Sequence, residues 1–330
     1  MKPTRRKFVV ASAAFAISTV LAPSFTSASE KFPERPIQFI VPYSPGGSAD
    51  TLARTIGNTM AKELGQPVII ENRGGGAGVV GASIATRAKP DGYTLFLGGI
   101  GFNVISPILG ILPDGYDPHT QLEPVSKVAN YRILLVVHPD SPIRTFQDLL
   151  AQAKSPKGVS YGTAGVTTTP YIGALAMQKA AGVEMVHIPY KGEAPAALDV
   201  MGGQIDMSIN GEAAVMSNIR AGKLRPILTM DPKRLESLPD VPSITEFYPG
   251  LGTEPWFGAF TTPGTPPEVL ERLAQAFRAA LANPEVAEKL KSNFYVPSAS
   301  ESPSQFKQAL TAETQAWNKR LEGVELNHKK

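Results

Sequence analysis

Cysteine is missing from all 330 residues. That excludes disulfides, thiolate metal sites, a cysteine nucleophile and lipid attachment at an N-terminal cysteine. Histidine is scarce: His119, His138, His187 and His328 are scattered without ligand spacing, so no metal centre is expected. There is no G-x-S-x-G, the turn that would carry a hydrolase serine. Internal repeats and low-complexity linkers are also missing. The apolar stretch from Phe8 to Ala22 is too short to span a bilayer.

That stretch belongs to a leader. Residues 1–28 start basic (Lys2, Arg5, Arg6, Lys7), turn apolar and end in small residues, Thr26-Ser27-Ala28. This is the pattern of a secretory signal. Thr4-Arg5-Arg6-Lys7-Phe8 fits the twin-arginine export motif, and an ordinary Sec signal with adjacent arginines fits as well. The chain has 32 Lys+Arg against 29 Asp+Glu; without the four basic residues of the leader, 28 face 29, a net charge of −1. The basic excess therefore leaves with the signal, and neither nucleic acid nor an anionic membrane is implied as partner.

The remaining ~300 residues are comfortable for two domains. Short β-rich runs alternate with amphipathic stretches, which predicts α/β domains with largely parallel sheets. Strands are expected at 37–41, 68–70, 93–97, 133–137, 159–162, 186–188, 205–209 and 256–260. Leu52, Ile56, Met60 and Leu64 recur at i+4 steps and mark one helix face. Further helices are expected over 78–88, 145–153, 169–181 and 194–201, then from 270 to the end. The pattern changes near Asn130.

Two loops could hold an anion. Ser44-Pro45-Gly46-Gly47-Ser48 follows a strand and opens a helix, so unpaired N–H groups point outward. Tyr161-Gly162-Thr163-Ala164-Gly165-Val166-Thr167-Thr168-Thr169-Pro170 repeats that arrangement, with Thr169-Pro170 reading as N-cap and first helical residue. Either loop alone could merely cap its helix; two together point to a ligand held between domains. A third loop, Gly76-Ala77-Gly78-Val79-Val80-Gly81, is a literal G-x-G-x-x-G, the dinucleotide fingerprint. It follows the second strand rather than the first, and the acid expected ~20 residues on is replaced by Gly98-Gly99. A tight structural turn is the better reading. His187 alternates with apolar residues and reads as a packed or edge histidine.

Several short motifs, in order, carry a resemblance: Arg35-Pro36-Ile37, Pro42-Tyr43-Ser44-Pro45-Gly46-Gly47 with Asp50, Glu71-Asn72-Arg73, Pro90-Asp91-Gly92-Tyr93-Thr94-Leu95, Pro189-Tyr190-Lys191-Gly192 and Leu238-Pro239-Asp240-Val241-Pro242-Ser243. From about residue 33 onward the chain resembles the substrate-binding proteins of tripartite tricarboxylate transporters, the Bug family of periplasmic solute receptors. The resemblance implies a type II periplasmic-binding-protein fold: two α/β lobes, two crossover segments and a ligand cleft between them. The expected division is signal 1–28, lobe 1 at 29–129 and 254–330, and lobe 2 at 130–253. It also implies a non-enzymatic monomer that takes no cofactor, binds a small carboxylate (di- or tricarboxylate, aromatic acid or acidic amino acid) in the periplasm, and serves a membrane permease or a sensor. The alternative is an exported dinucleotide-dependent oxidoreductase using the Gly76–Gly81 turn.

By position, the resemblance assigns the ligand to Tyr43, Ser44, Pro45, Gly46, Gly47, Ser48 and Asp50, and to Gly99, Ile100 and Phe102 in the turn after residue 98. In the other lobe it assigns Thr163, Ala164, Thr167, Thr168, Thr169 and Asn210. The chain departs from the family pattern in having Gly98-Gly99 where hydroxyls are common, Tyr171 where histidine is common, and Asn210-Gly211-Glu212. Lost hydroxyls could make room for a bulkier ligand, and Glu212 near the mouth could favour a positive group. Asp50 has two readings: a first-turn acid facing the helix dipole, or a cleft residue accepting from the ligand.

Overall fold

The computed structural model describes residues 32–321. The expected leader at 1–28, His328 and the last stretch of lobe 1 lie outside the described residues. The chain runs β1 (Ile37–Val41), α1 (Ser48–Leu64), β2 (Val68–Asn72), α2 (Val79–Thr86), β3 (Thr94–Gly99), α3 (Ser106–Ile108), α4 (Pro118–Gln121) and β4 (Glu123–Asn130), then passes directly into β5 (Ile133–Val137). A second series follows: α5 (Phe146–Ala153), β6 (Ser160–Thr163), α6 (Thr169–Ala181), β7 (Val186–Pro189), α7 (Glu193–Met201), β8 (Met207–Gly211), α8 (Glu212–Arg220) and β9 (Arg225–Thr229). The chain returns through β10 (Trp256–Thr261), α9 (Pro267–Ala282), α10 (Pro284–Ser292), β11 (Val296–Pro297) and α11 (Pro303–Leu321).

Two sheets result, ordered β11-β4-β10-β3-β1-β2 and β7-β6-β8-β5-β9. Both obey one rule. A βαβαβ run gives the order second-first-third, and the strand that arrives from the other sheet is inserted next to the third. That inserted strand enters from the opposite end, so β10 runs antiparallel to β3 and β4, and β5 antiparallel to β8 and β9. The sheets are therefore mixed rather than largely parallel: parallel pairing is confined to β1 with β2 and β3, and β6 with β7 and β8. The crossing strands, which local sequence does not mark as antiparallel, make the difference.

The expected i+4 stripe on α1 is real: Leu52, Ile56, Met60 and Leu64 are buried, and Gly65 ends the helix at φ 70°. It packs beneath β1, where Phe39 meets Phe277 of α9 edge-on with ring centroids 5.9 Å apart. β4, β9 and α8 are elements that the sequence reading did not assign. Pro226 inside β9 weakens its strand signal, and β9 lies at the sheet edge, where proline is tolerated.

Both crossings between the sheets run side by side. Tyr131 N–H donates to the Pro255 carbonyl (3.0 Å), and Met230 N–H to the Ile133 carbonyl (3.0 Å). Buried Asp231 ties them further, accepting from Arg132 Nη1 (2.8 Å) and from the Ile133 amide (3.1 Å). Among the described residues, no helix is long and apolar enough to cross a membrane.

Candidate ligand-binding cleft

β1 delivers the chain into the loop before α1. Gly47 is the N-cap, extended, and offers no side chain to the first N–H groups of the helix, so the Ser48 amide is met from the other lobe by Glu193. Asp50 lies in the first turn with its carboxylate folded back: Oδ2 accepts from the Gly46 amide (3.0 Å), and Oδ1 pairs with Arg54 Nε (2.9 Å). Burial would raise its pKa, but hydrogen bonds from Arg54, Gly46 and Asn72 outweigh that and hold it below the ordinary value. Asp50 is not among the residues lining the cleft. Ser44 reaches across instead, its amide donating to the Lys191 carbonyl (2.8 Å). Pro45 and Gly46 are exposed at the rim.

The turn after β3 is filled rather than open. A Cβ at Gly98 would lie 2.1 Å from Asn103 Oδ1, and one at Gly99 would lie 2.9 Å from the Trp256 carbonyl. The expectation that these glycines make room for a bulkier ligand is therefore wrong: Asn103, Phe260 and the Trp256 backbone occupy that space. Residues 101–105 form a π-helical turn that carries Phe102 into the cleft, while Ile100 lines a different groove with Trp256 and Phe306.

In the second lobe, Thr168 rather than Thr169 is the N-cap of α6, and again no side chain caps the helix. Its hydroxyl turns back to the Gly165 carbonyl (2.7 Å). Thr163 is turned inward, its Oγ1 lying 2.8 Å from His187 Nε2. His187 is indeed packed, between the rings of Tyr161 and Tyr171 (centroids at 4.9 and 4.4 Å), and burial lowers its pKa to about 4. Thr167 Oγ1 donates to the Ala77 carbonyl in the opposite lobe. The G-x-G-x-x-G turn is thus a contact surface: Ala77 receives Thr167, and Gly78 and Gly81 lie against Phe102 and Pro42. Asn210 is fully buried; its Nδ2 donates to Ser208 Oγ (2.7 Å) and its Oδ1 has no partner.

The cleft brings together Tyr43, Gly47, Ser48, Gly99, Phe102, Ala164, Thr167, Thr168 and Thr169 from the expected set. Ser44, Pro45, Gly46, Asp50, Ile100, Thr163 and Asn210 do not line it. Its remaining walls, missed in the sequence, are Ala49, Gly101, Tyr131, Pro170, Glu193 and Phe257. Tyr131 and Phe257 stack with centroids 4.3 Å apart. The cavity volume is about 30 Å³, too small for an organic acid, so entry requires the lobes to part.

Glu193 is the largest omission. It opens α7 after the extended N-cap Gly192 and bridges the lobes: Oε2 accepts from the Ser48 amide of the other lobe and Oε1 from the Gly211 amide of its own, both at 2.7 Å. The N-termini of α1, α7 and α8 thereby converge on one carboxylate. After desolvation by burial, its charge is the next cause that raises the phenol pKa values of Tyr43, Tyr131 and Tyr295. A signal was present, since Glu193 follows a strand and a glycine just as Ser48 does. Glu212, the acid expected at the mouth, is elsewhere: buried against Ser237 in a separate groove with Arg132 and Asp231.

Two sheets of like topology, paired crossings and a cleft faced by helix N-termini from both lobes define a two-lobed solute receptor. The model for "Tripartite tricarboxylate transporter family receptor" matches residues 52–325. The chain belongs to that family. BugT of Bordetella pertussis is 32% identical over 295 residues, covering 88% of this chain and 89% of BugT. MatC from Rhodopseudomonas palustris, solved with bound malate, superposes with a TM-score of 0.82 at 28% identity, covering 87% of this chain and 99% of MatC. Rpa4515 of R. palustris, solved with adipate, gives a TM-score of 0.81 at 31% identity, with 88% and 97% coverage. The family and the two-lobed fold expected from the sequence are both borne out, and the family is one of receptors rather than enzymes.

Proposed function

We propose that this chain is a periplasmic receptor that captures a small organic acid in the cleft and closes on it, presenting the closed form to a membrane permease or a sensor. The observation that carries this reading is that the N-termini of α1 and α6 face one cleft from opposite lobes, α6 without a side-chain cap and α1 with the Ser48 hydroxyl unpartnered. At α6, free N–H groups and the helix dipole favour an anion without any lysine or arginine. The malate and adipate bound by the relatives support a carboxylate as the ligand class.

The lobes at 29–129 with 254–330, and at 130–253, act as the two jaws, and the paired crossings act as the hinge. Asp50 then holds the loop shape from behind, and the ligand contacts fall to Ser48 and the Thr167–Thr169 turn. A thermal-shift screen of the purified chain against mono-, di- and tricarboxylates is the test. A ligand at 100 times its Kd stabilises the native state by about 2.7 kcal/mol. A panel in which no carboxylate raises the melting temperature would reject the reading.

A further inference from the structure

Among the described residues, the only charged side chain lining the cleft is Glu193; no lysine or arginine does so. Its carboxylate is buried, with 8% relative exposure, and makes the contacts a bound carboxylate would make: the Ser48 amide at the start of α1 and the Gly211 amide at the start of α8. Both helices are long enough to present such an end, at 17 and 9 residues. The backbone comes close to do this, for a Cβ at Gly211 would lie 3.1 Å from Glu193 Oε1. Beside the carboxylate, the fully buried hydroxyl of Ser48 lines the cleft with no protein partner. The protein thus fills one anion position with its own residue and leaves a donor-acceptor group beside it unused.

The consequence is a charge rule for the ligand. One carboxylate finds the uncapped N-terminus of α6. A second carboxylate would face Glu193 in a cleft whose lining offers no cationic side chain, and like charges repel strongly at such close range. Each oxygen of Glu193 accepts one amide and keeps a lone pair free, so an ammonium in the same place gains a charge-assisted hydrogen bond.

We infer that Glu193 sets the specificity of this receptor, selecting an acid with one carboxylate and a cationic far end over a plain dicarboxylate. This rests on the carboxylate-receptor reading and narrows it. The test uses matched pairs on one carbon skeleton: adipate with 6-aminohexanoate, succinate with 4-aminobutyrate, and terephthalate with 4-(aminomethyl)benzoate. Each is titrated calorimetrically into the wild-type chain, Glu193→Gln and Glu193→Ala, with circular dichroism to verify folding.

In the wild type, the amino member of at least one pair binds ~10-fold or more tightly than its dicarboxylate partner. In the variants that ratio falls at least ~10-fold. Both members need the same lobe closure, so a general closure defect leaves the ratio unchanged. Dicarboxylates that bind the wild type as tightly as their amino partners overturn the inference and leave the carboxylate reading standing, as does a ratio that persists in both folded variants. Failure of every member to bind the wild type overturns the carboxylate reading and this inference with it.

Discussion

At Gly101 the two lobes leave no space for one more carbon: a Cβ there would lie 2.6 Å from the Thr167 carbonyl and from the Thr169 amide nitrogen. Gly101→Ala should leave each lobe folded while forcing the jaws apart. Overpacking costs about 1–3 kcal/mol, which predicts roughly 5- to 150-fold weaker ligand binding by calorimetry with an unchanged circular dichroism spectrum. Glu212 makes a pH prediction. Burial, opposed by the Ser237 hydrogen bond, pushes its carboxyl from 4.5 up to about 7. The folded chain keeps that proton through the window in which the unfolded chain has lost it, so its contribution to stability falls as pH rises from 4.5 to about 7. Glu212→Gln should therefore melt above the wild type near pH ~8, by up to about 3 kcal/mol, and match it below the window. His187 carries the opposite sign: lowered from 6.5 to about 4 by burial, it costs stability as pH falls through that range.

At the scale of elements, the signals that could be read were those that repeat locally. The α1 stripe of Leu52, Ile56, Met60 and Leu64 needs only helical periodicity, and its burial follows. α5 starts with a full capping box, Thr145 Oγ1 accepting from the Asp148 amide (3.1 Å) and Asp148 Oδ2 from the Thr145 amide (2.9 Å). Thr145→Ala should lower the unfolding free energy by about 1 kcal/mol in urea denaturation and leave ligand affinity alone, because α5 lies away from the cleft. β9 and β4 were hidden for a different reason. Pro226 and Pro124 interrupt their strand pattern, and only the neighbouring strands supply the pairing that holds them.

For the molecule as a whole, the paired crossings are the proposed hinge between the jaws. Asp231 accepts from Arg132, from the Ile133 amide and from Thr229 Oγ1 (3.1 Å), all at the crossings. Asp231→Ala strands a partly buried guanidinium and the Ile133 amide, while the Thr229 hydroxyl keeps the Ile133 carbonyl. It should cost about 3 kcal/mol, below the upper range for fully buried pairs because Arg132 is partly exposed. Chemical denaturation measures that loss. If ligand closes the jaws, small-angle scattering should show a smaller radius of gyration with ligand than without; an unchanged radius at saturation counts against a hinged clamp.

The sequence by itself determined the family, the alternation of strands and helices, and the two glycine- and threonine-rich loops that open α1 and α6. These are local facts, set by backbone propensity, periodicity and free N–H groups over a few residues. Only the tertiary structure decided that Ala77 receives Thr167, that Asn103 fills the space at Gly98, and that Glu193 lies 2.7 Å from an amide 145 positions away. The physical reason is the fold's double crossing, which brings distant segments to one cleft. Whether a carboxylate faces that cleft, as Glu193 does, or folds back on its own turn, as Asp50 does, depends on which free donors its neighbours leave within reach.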